Sequence, residues 1–139
     1  MYRKIIVAIA LGGIDNGERI LRKAASLLDA GGEIIALNVV EDVPSYVAIE
    51  LPANMVEDAM KDGREKLETL IAAAGVTATV EIANGPPAKA IISTAESHGA
   101  DLIIVASHVP DFSNYFIGAT ADRVVRHAKC SVLVDRQKI

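Results

Sequence analysis

The sequence predicts one α/β domain, built on a parallel β-sheet with helices on both faces, and three observations carry that prediction. The apolar runs Ile5 to Ala10, Ile34 to Val40 and Leu102 to Ala106 show no polar alternation. A strand with one wet face alternates, so these read as strands covered on both sides, as in parallel sheets. Segments with apolar residues at helical spacing separate the runs, in the order β-α-β expected of crossover connections. The length, 139 residues, suits one domain that buries about 68–70% of its unfolded surface in a single core.

Each element has its own signals. Ile5 to Ala10 is the first strand. Asp15 followed by Glu18 resembles a capping box, and Ile20, Leu21, Ala24, Leu27 and Leu28 then recur at helical spacing until Gly31-Gly32 stops the pattern. Ile34 to Val40 is a second buried strand, and Val43 to Pro52 a loop punctuated by Pro44 and Pro52. The second helix is expected from about Ala53 to Ala74, with Val56, Met60, Leu67, Leu70 and Ile71 on its apolar side and Gly75 beyond its end. Gly63 interrupts it at modest cost. Val76, Ala78, Val80 and Ile82 alternate with Thr77, Thr79 and Glu81, the period of a strand with a wetter face and hence of a sheet edge. Gly85-Pro86-Pro87 turns the chain into a third helix lined by Ala88, Ile91, Ile92 and Ala95, which Gly99 ends. After the strand Leu102 to Ala106 comes a polar loop from Ser107 to Ile117, a last helix from about Ala119 to His127, and a last strand from Ser131 to Val134.

Composition excludes whole classes of function. Fourteen basic against eighteen acidic residues give a net charge of −4, the wrong sign for a protein that neutralises phosphate backbones. Aromatic residues make up 4% and Trp is absent, which argues against a base-stacking platform for single strands. A single cysteine, Cys130, forms no internal disulfide and points to a reducing compartment. Between Ala128 and Val132 it reads as a buried, inert thiol. Arg3 and Lys4 precede the apolar run Ile5 to Leu11 with its Ala8-Ile9-Ala10 pattern, but the run is too short for a signal peptide. No other apolar stretch approaches the roughly 20 residues of a membrane span. The expected location is the cytoplasm.

In open parallel sheets ligands sit outside the carboxyl ends of the strands, where the strand order reverses. The loops after the first, second and fourth strands are therefore the places to look. The fourth-strand loop runs from Ala106 to Gly118, long against the usual two to about six residues. It feeds a helix start, Gly118-Ala119-Thr120, that combines a glycine, free amides, the positive end of the helix dipole and a hydroxyl. Such a start is a competent phosphate cradle, and equally an ordinary helix start with a glycine turn.

Ala106-Ser107-His108, Pro110-Asp111, Tyr115, Gly118, Val124-Val125-Arg126-His127-Ala128 and Cys130-Ser131-Val132-Leu133-Val134 resemble the C-terminal third of the universal stress proteins (UspA-like domains). The likeness is nearest to the short bacterial F and G type branch. It extends over the whole chain, 1–139, through Lys4-Ile5-Ile6-Val7, Asn38-Val39 and the Gly85-Pro86 turn. The resemblance implies a Rossmann-like fold of the adenine nucleotide alpha hydrolase type, five strands in the order 3-2-1-4-5. It also implies a homodimer paired through the last strands and, in many members, bound ATP or AMP, with magnesium accompanying ATP. Carried onto this sequence, the base lies against Ala8, Ile9, Ala10 and Val39. The phosphates lie against Val105, Ala106, Ser107, His108 and Val109 and against Gly118, Ala119 and Thr120. Ala10 stands where many members carry the acidic residue that holds the ribose, and Val109 where the F and G branch often has a basic one. Loss of one hydrogen bond to a charged partner costs on the order of 1.5–3 kcal/mol.

The expectation is thus a cytoplasmic, non-enzymatic homodimer that senses or buffers an adenine nucleotide and holds no tightly bound metal. Two alternatives stand beside it. One is a nucleotide-free dimeric interaction module of the same fold. The other is an enzyme: Gly12-Gly13-Ile14-Asp15-Asn16 is similar to the pyrophosphate loop of ATP pyrophosphatases, although Leu11 and Asn16 replace its serines and the chain is short for a synthetase. A receiver domain fails, since the first strand lacks an acidic pair and Asn84 closes the third without an aspartate. His98 and His127 fall in last helical turns, where cations complement the dipole. His108 opens the long loop, suited either to ordering that loop or to touching phosphate. No histidine pair has metal-ligand spacing. Tyr46 and Ile49 are placed to cover the pocket or to pack their own loop.

Overall fold

Each return from one strand to the next passes through a helix, so every strand pair in the sheet is parallel. The computed structural model describes residues 1–11, 17–41, 54–108 and 118–137. Among them the strands are β1 (Tyr2–Ala8), β2 (Leu28–Val40), β3 (Thr79–Asn84), β4 (Leu102–His108) and β5 (Ser131–Gln137). The helices are α1 (Gly17–Leu27), α2 (Met55–Ala74), α3 (Pro87–His98) and α4 (Ala119–His127). The sheet order is β3-β2-β1-β4-β5, the order the family resemblance implies, with β3 on one edge as its alternating pattern predicts.

Two-sided burial explains the unbroken apolar runs. Ile5, Val7, Ile34, Ala36, Leu102 and Ile104 face one layer, where Ile20 and Leu21 of α1 and Leu67 and Leu70 of α2 meet them. Ile6, Ile35, Leu37, Ile103 and Val105 face the other, against Ala88, Ile91 and Ala95 of α3 and Ala121 and Val124 of α4. The register Ile5↔Ile34 and Ile5↔Leu102 aligns these layers across the centre of the sheet.

The boundaries differ from the sequence expectation in instructive places. Gly31-Gly32 does not end α1, which stops at Leu27. The pair lies inside β2, in a bulge where Tyr2 pairs with Leu28 but Lys4 pairs with Glu33. A Cβ on Gly32 would come within 2.7 Å of the Arg3 carbonyl oxygen, so the glycine is needed for close backbone approach. Gly63 has a comparable reason to be in α2: a Cβ there would lie 3.0 Å from Oδ1 of Asn38 on β2. β3 starts at Thr79 rather than Val76, and β4 and β5 run on through polar residues to His108 and Gln137.

Polar contacts pin the layers. Asp135 on β5 is 3% exposed and accepts from Arg19 Nη2 at 2.9 Å and Lys23 Nζ at 2.5 Å, both on α1. At the opposite end of the sheet the Asp101 carboxylate accepts the backbone N–H groups of Arg3 and Lys4, each at 3.0 Å. The Arg3 amide in particular holds the Asp101 carboxyl below its ordinary pKa. Cys130 is half-buried rather than buried, packed at the margin of the α3/α4 core, and burial pushes its thiol upward. Among the described residues no helix is long and apolar enough to cross a membrane.

Candidate functional site

Outside the carboxyl ends of β1, β2 and β4 the structure encloses a cavity of about 250 Å³. Its floor is Ala8, Ile9 and Ala10 leaving β1; one side is Leu37, Asn38, Val39 and Glu41 leaving β2; the other is Val105 and Ala106 of β4. Pro87 and Ile91 in the first turns of α3, and Thr120 and Ala121 in the first turn of α4, close the walls. The strand order produces this cleft. The crossover from β1 to β2 carries α1 to one face, whereas β3 to β4 carries α3 to the other, so the sheet opens between β1 and β4.

The local backbone is tightly specified. Ile9 donates its N–H to the Leu37 carbonyl at 2.8 Å, and Asn38 Nδ2 donates to the Ile9 carbonyl at 2.9 Å. Asn38 is 9% exposed, so its amide satisfies a buried acceptor as the chain leaves β1. Gly118, immediately before α4, has φ 96°, a conformation that glycine adopts freely. No described side chain caps this helix, which leaves its first-turn amides available to an anion.

Of the residues expected at the site, Ala8, Ile9, Ala10, Val39, Val105, Ala106 and Thr120 line this one cavity. Gly118 and Ala119 do not; both are exposed, at the start of α4. Ser107 is buried and also stands apart from the lining. His108 is placed by its backbone in β4, opposite Gln137. Val109, the rest of the loop to Ile117, Gly12 to Asn16, Tyr46 and Ile49 lie outside the described residues. Leu37, Glu41, Pro87, Ile91 and Ala121 line the cavity without having been singled out. A polar residue in an otherwise apolar strand was the signal available for Asn38, and the strand-end position that for Glu41.

His98 and His127 fall in the last turns of α3 and α4, as the sequence reading has them. His98 Nε2 lies 3.1 and 3.3 Å from the two carboxylate oxygens of Glu81 on β3, so it ties α3 to the sheet edge. The end of α3 is closed instead by the Gly99 N–H, which donates to the Glu96 carbonyl. His127 is exposed in the last turn of α4. Among the described residues no group of three His, Cys, Asp or Glu side chains is placed to hold a metal ion.

The family model for the universal stress protein family matches residues 1–136. The chain belongs to the universal stress protein family. Universal stress protein A homolog 2 of Coxiella burnetii is 32% identical over 143 residues, covering 99% of this chain and 97% of that one. Universal stress protein G of Shigella flexneri is 25% identical over 142 residues, 98% of this chain and all of the relative. Among solved structures, a universal stress protein in complex with cAMP superposes with a TM-score of 0.69 at 18% identity, over 96% of each chain. That neighbour therefore shares the α/β fold of this chain.

Proposed function

We propose that this universal stress protein binds an adenine nucleotide in the cavity between β1, β2 and β4, without turning it over. The observation that carries the reading is the cavity itself: a mainly apolar slot at the reversal of strand order, with Thr120 and Ala121 from the first turn of α4 in one wall and no described side chain capping that helix. Its volume lies just under the roughly 300–1,000 Å³ of small-molecule sites. A base and sugar fill such a slot, and phosphates then project onto the amides of α4. The solved universal stress protein with cAMP supports a nucleotide of this class.

Its lining offers one carboxylate, Glu41, with a buried carboxamide and a hydroxyl. Among the described residues that set has no nucleophile paired with a base, which supports sensing or buffering of nucleotide in the cytoplasm as the role. A homodimer through β5 belongs to the same reading. β5 pairs only with β4, which leaves its outer edge open among the described residues, and Val125 on the adjoining α4 is 47% exposed.

The test is calorimetry of the full chain with AMP and ATP, with mass spectrometry of the denatured protein for copurified nucleotide. Sedimentation gives the oligomer. Binding with turnover far below 1 s⁻¹, the low end of ordinary enzymes, and about twice the chain mass are expected. No heat at millimolar nucleotide, with fold and dimer intact, would transfer the role to a nucleotide-free interaction module.

A further inference from the structure

α3 and α4 lie side by side on one face of the sheet, with a groove of about 530 Å³ between them. Lys89 and Ser93 of α3 line it from one side, Arg123 and His127 of α4 from the other. Arg123 and His127 are one helical turn apart, so both stand on the same flank of α4. Lys89, Arg123 and His127 are exposed, and among the described residues none of the three has a hydrogen-bond or ion-pair partner. This gathering of unpaired basic side chains runs against the chain's net charge of −4.

Beside the groove, at the amino ends of β4 and β5, is a second cavity of about 400 Å³. Ile92, Ala95, Ala100, Ile103, Ala128 and Cys130 make it largely apolar. The two linings share Ile92 and Glu96, so groove and cavity adjoin, and neither has a residue in common with the nucleotide cavity. Glu96 already has a partner in Lys129, whose Nζ lies 3.8 Å from its carboxylate. An anion is therefore drawn to the Lys89 and Arg123 end, where the charge is uncompensated, and an apolar chain to the Cys130 end. From Lys89 to Glu96 the wall runs along α3 for about 10 Å.

We propose that this face binds a single-chain amphiphilic anion, a medium-length acyl carboxylate, with its chain in the cavity and its head among Lys89, Arg123 and His127. A small inorganic anion meets only screened surface charge here, and an acidic peptide without aliphatic side chains leaves the cavity unfilled. An aliphatic chain with an anionic head fits both parts at once, and each methylene that leaves water raises affinity up to about fourfold.

The experiment is calorimetry of the full chain with decanoate, hexanoate and uncharged decanol, beside alkylation of the single cysteine, Cys130, by iodoacetamide. Circular dichroism verifies each fold with and without ligand. Decanoate should bind at least about tenfold tighter than hexanoate and slow the alkylation of Cys130, whether or not AMP is present. The double variant Lys89→Gln, Arg123→Gln should lower decanoate affinity about fivefold, the scale of two screened charge pairs, and leave decanol within about twofold. Ala128→Leu, which takes up cavity volume, should weaken both. Decanoate affinity unchanged in the double variant, or Cys130 alkylated as fast with decanoate as without it, overturns the assignment. So does binding of hexaglutamate or of phosphatidylglycerol vesicles through Lys89 and Arg123 without binding of decanoate, which would make the face a peptide or membrane surface.

Discussion

The carboxamide of Asn38 joins two strands and a helix at one point: Nδ2 donates to the Ile9 carbonyl at 2.9 Å, while Oδ1 lies 3.0 Å from where a Cβ on Gly63 would stand. The absent side chain in α2 and the polar side chain in β2 are therefore one packing solution, made at the wall of the cavity. Replacing Asn38 by Leu orphans a buried carbonyl and should cost about 1–3 kcal/mol in urea unfolding.

Gly63→Ala sets two effects against each other. Helix propensity favours alanine by about 1 kcal/mol, whereas pressing a methyl group onto Asn38 costs about 1–3 kcal/mol. The expected net result is destabilisation, with relief in the Asn38→Ala background. A double-mutant cycle should return a coupling above about 0.5 kcal/mol. Additive effects would mean that Asn38 and Gly63 do not share the space.

Asp135 is the buried anion of a three-residue cluster with Arg19 and Lys23. Asp135→Asn leaves two cations facing a neutral amide and should cost about 1.5–3 kcal/mol, the scale of charged hydrogen bonds. It stays below the cost of breaking a fully buried pair because both cations are part-exposed. Chemical denaturation of the variant beside Arg19→Met checks this, and the two losses should not add.

Why some of this was legible in the sequence and some was not follows from the same residues. Ile5, Ile34 and Ile103 announce their strands because burial on both faces removes every polar position. α4 was delimited at both ends, Ala119 and His127, by the glycine before it and the basic last turn. The far ends of β4 and β5 carry no such pattern. Asp135 reads as a surface residue until Arg19, 116 positions away, is folded against it. The cavity is split in the same way. The rule for parallel sheets points to the ends of β1, β2 and β4, and the family resemblance names Ala8, Val39 and Ala106 there, whereas Pro87 and Ile91 arrive only through the docking of α3.

Asp101 makes stability depend on pH with a definite sign. Its folded carboxyl lies below its unfolded value because the ionised form accepts the Arg3 and Lys4 amides. The unfolded chain therefore takes up the proton first on acidification. The contribution is complete above the unfolded value near pH 3.9 and is lost as pH falls through the lower folded one. Asp101→Asn should be less stable than wild type at pH 7, and the gap should close in acid. Solvent screening keeps it small, about 0.5–1 kcal/mol. A gap that is constant from pH 7 to pH 2 would remove the charge from the explanation.

The start of α4 and the end of β1 make separable contributions to nucleotide affinity. Gly118 has φ 96° and stands immediately before α4, so Gly118→Val both strains the backbone and crowds the approach to the first amides. It should lower AMP affinity at least about tenfold, a loss of 1.4 kcal/mol, and circular dichroism must verify that α4 persists. Ala10 is exposed at the floor of the cavity. Ala10→Asp adds an acceptor for sugar hydroxyls, and a charged hydrogen bond of about 1.5 kcal/mol raises affinity roughly tenfold. Calorimetry of both variants distinguishes the ends of the ligand: the aspartate should strengthen AMP and adenosine alike, whereas the valine should weaken AMP and leave adenosine nearly unchanged. If Gly118→Val lowers adenosine and AMP affinity equally, the phosphate does not sit on α4.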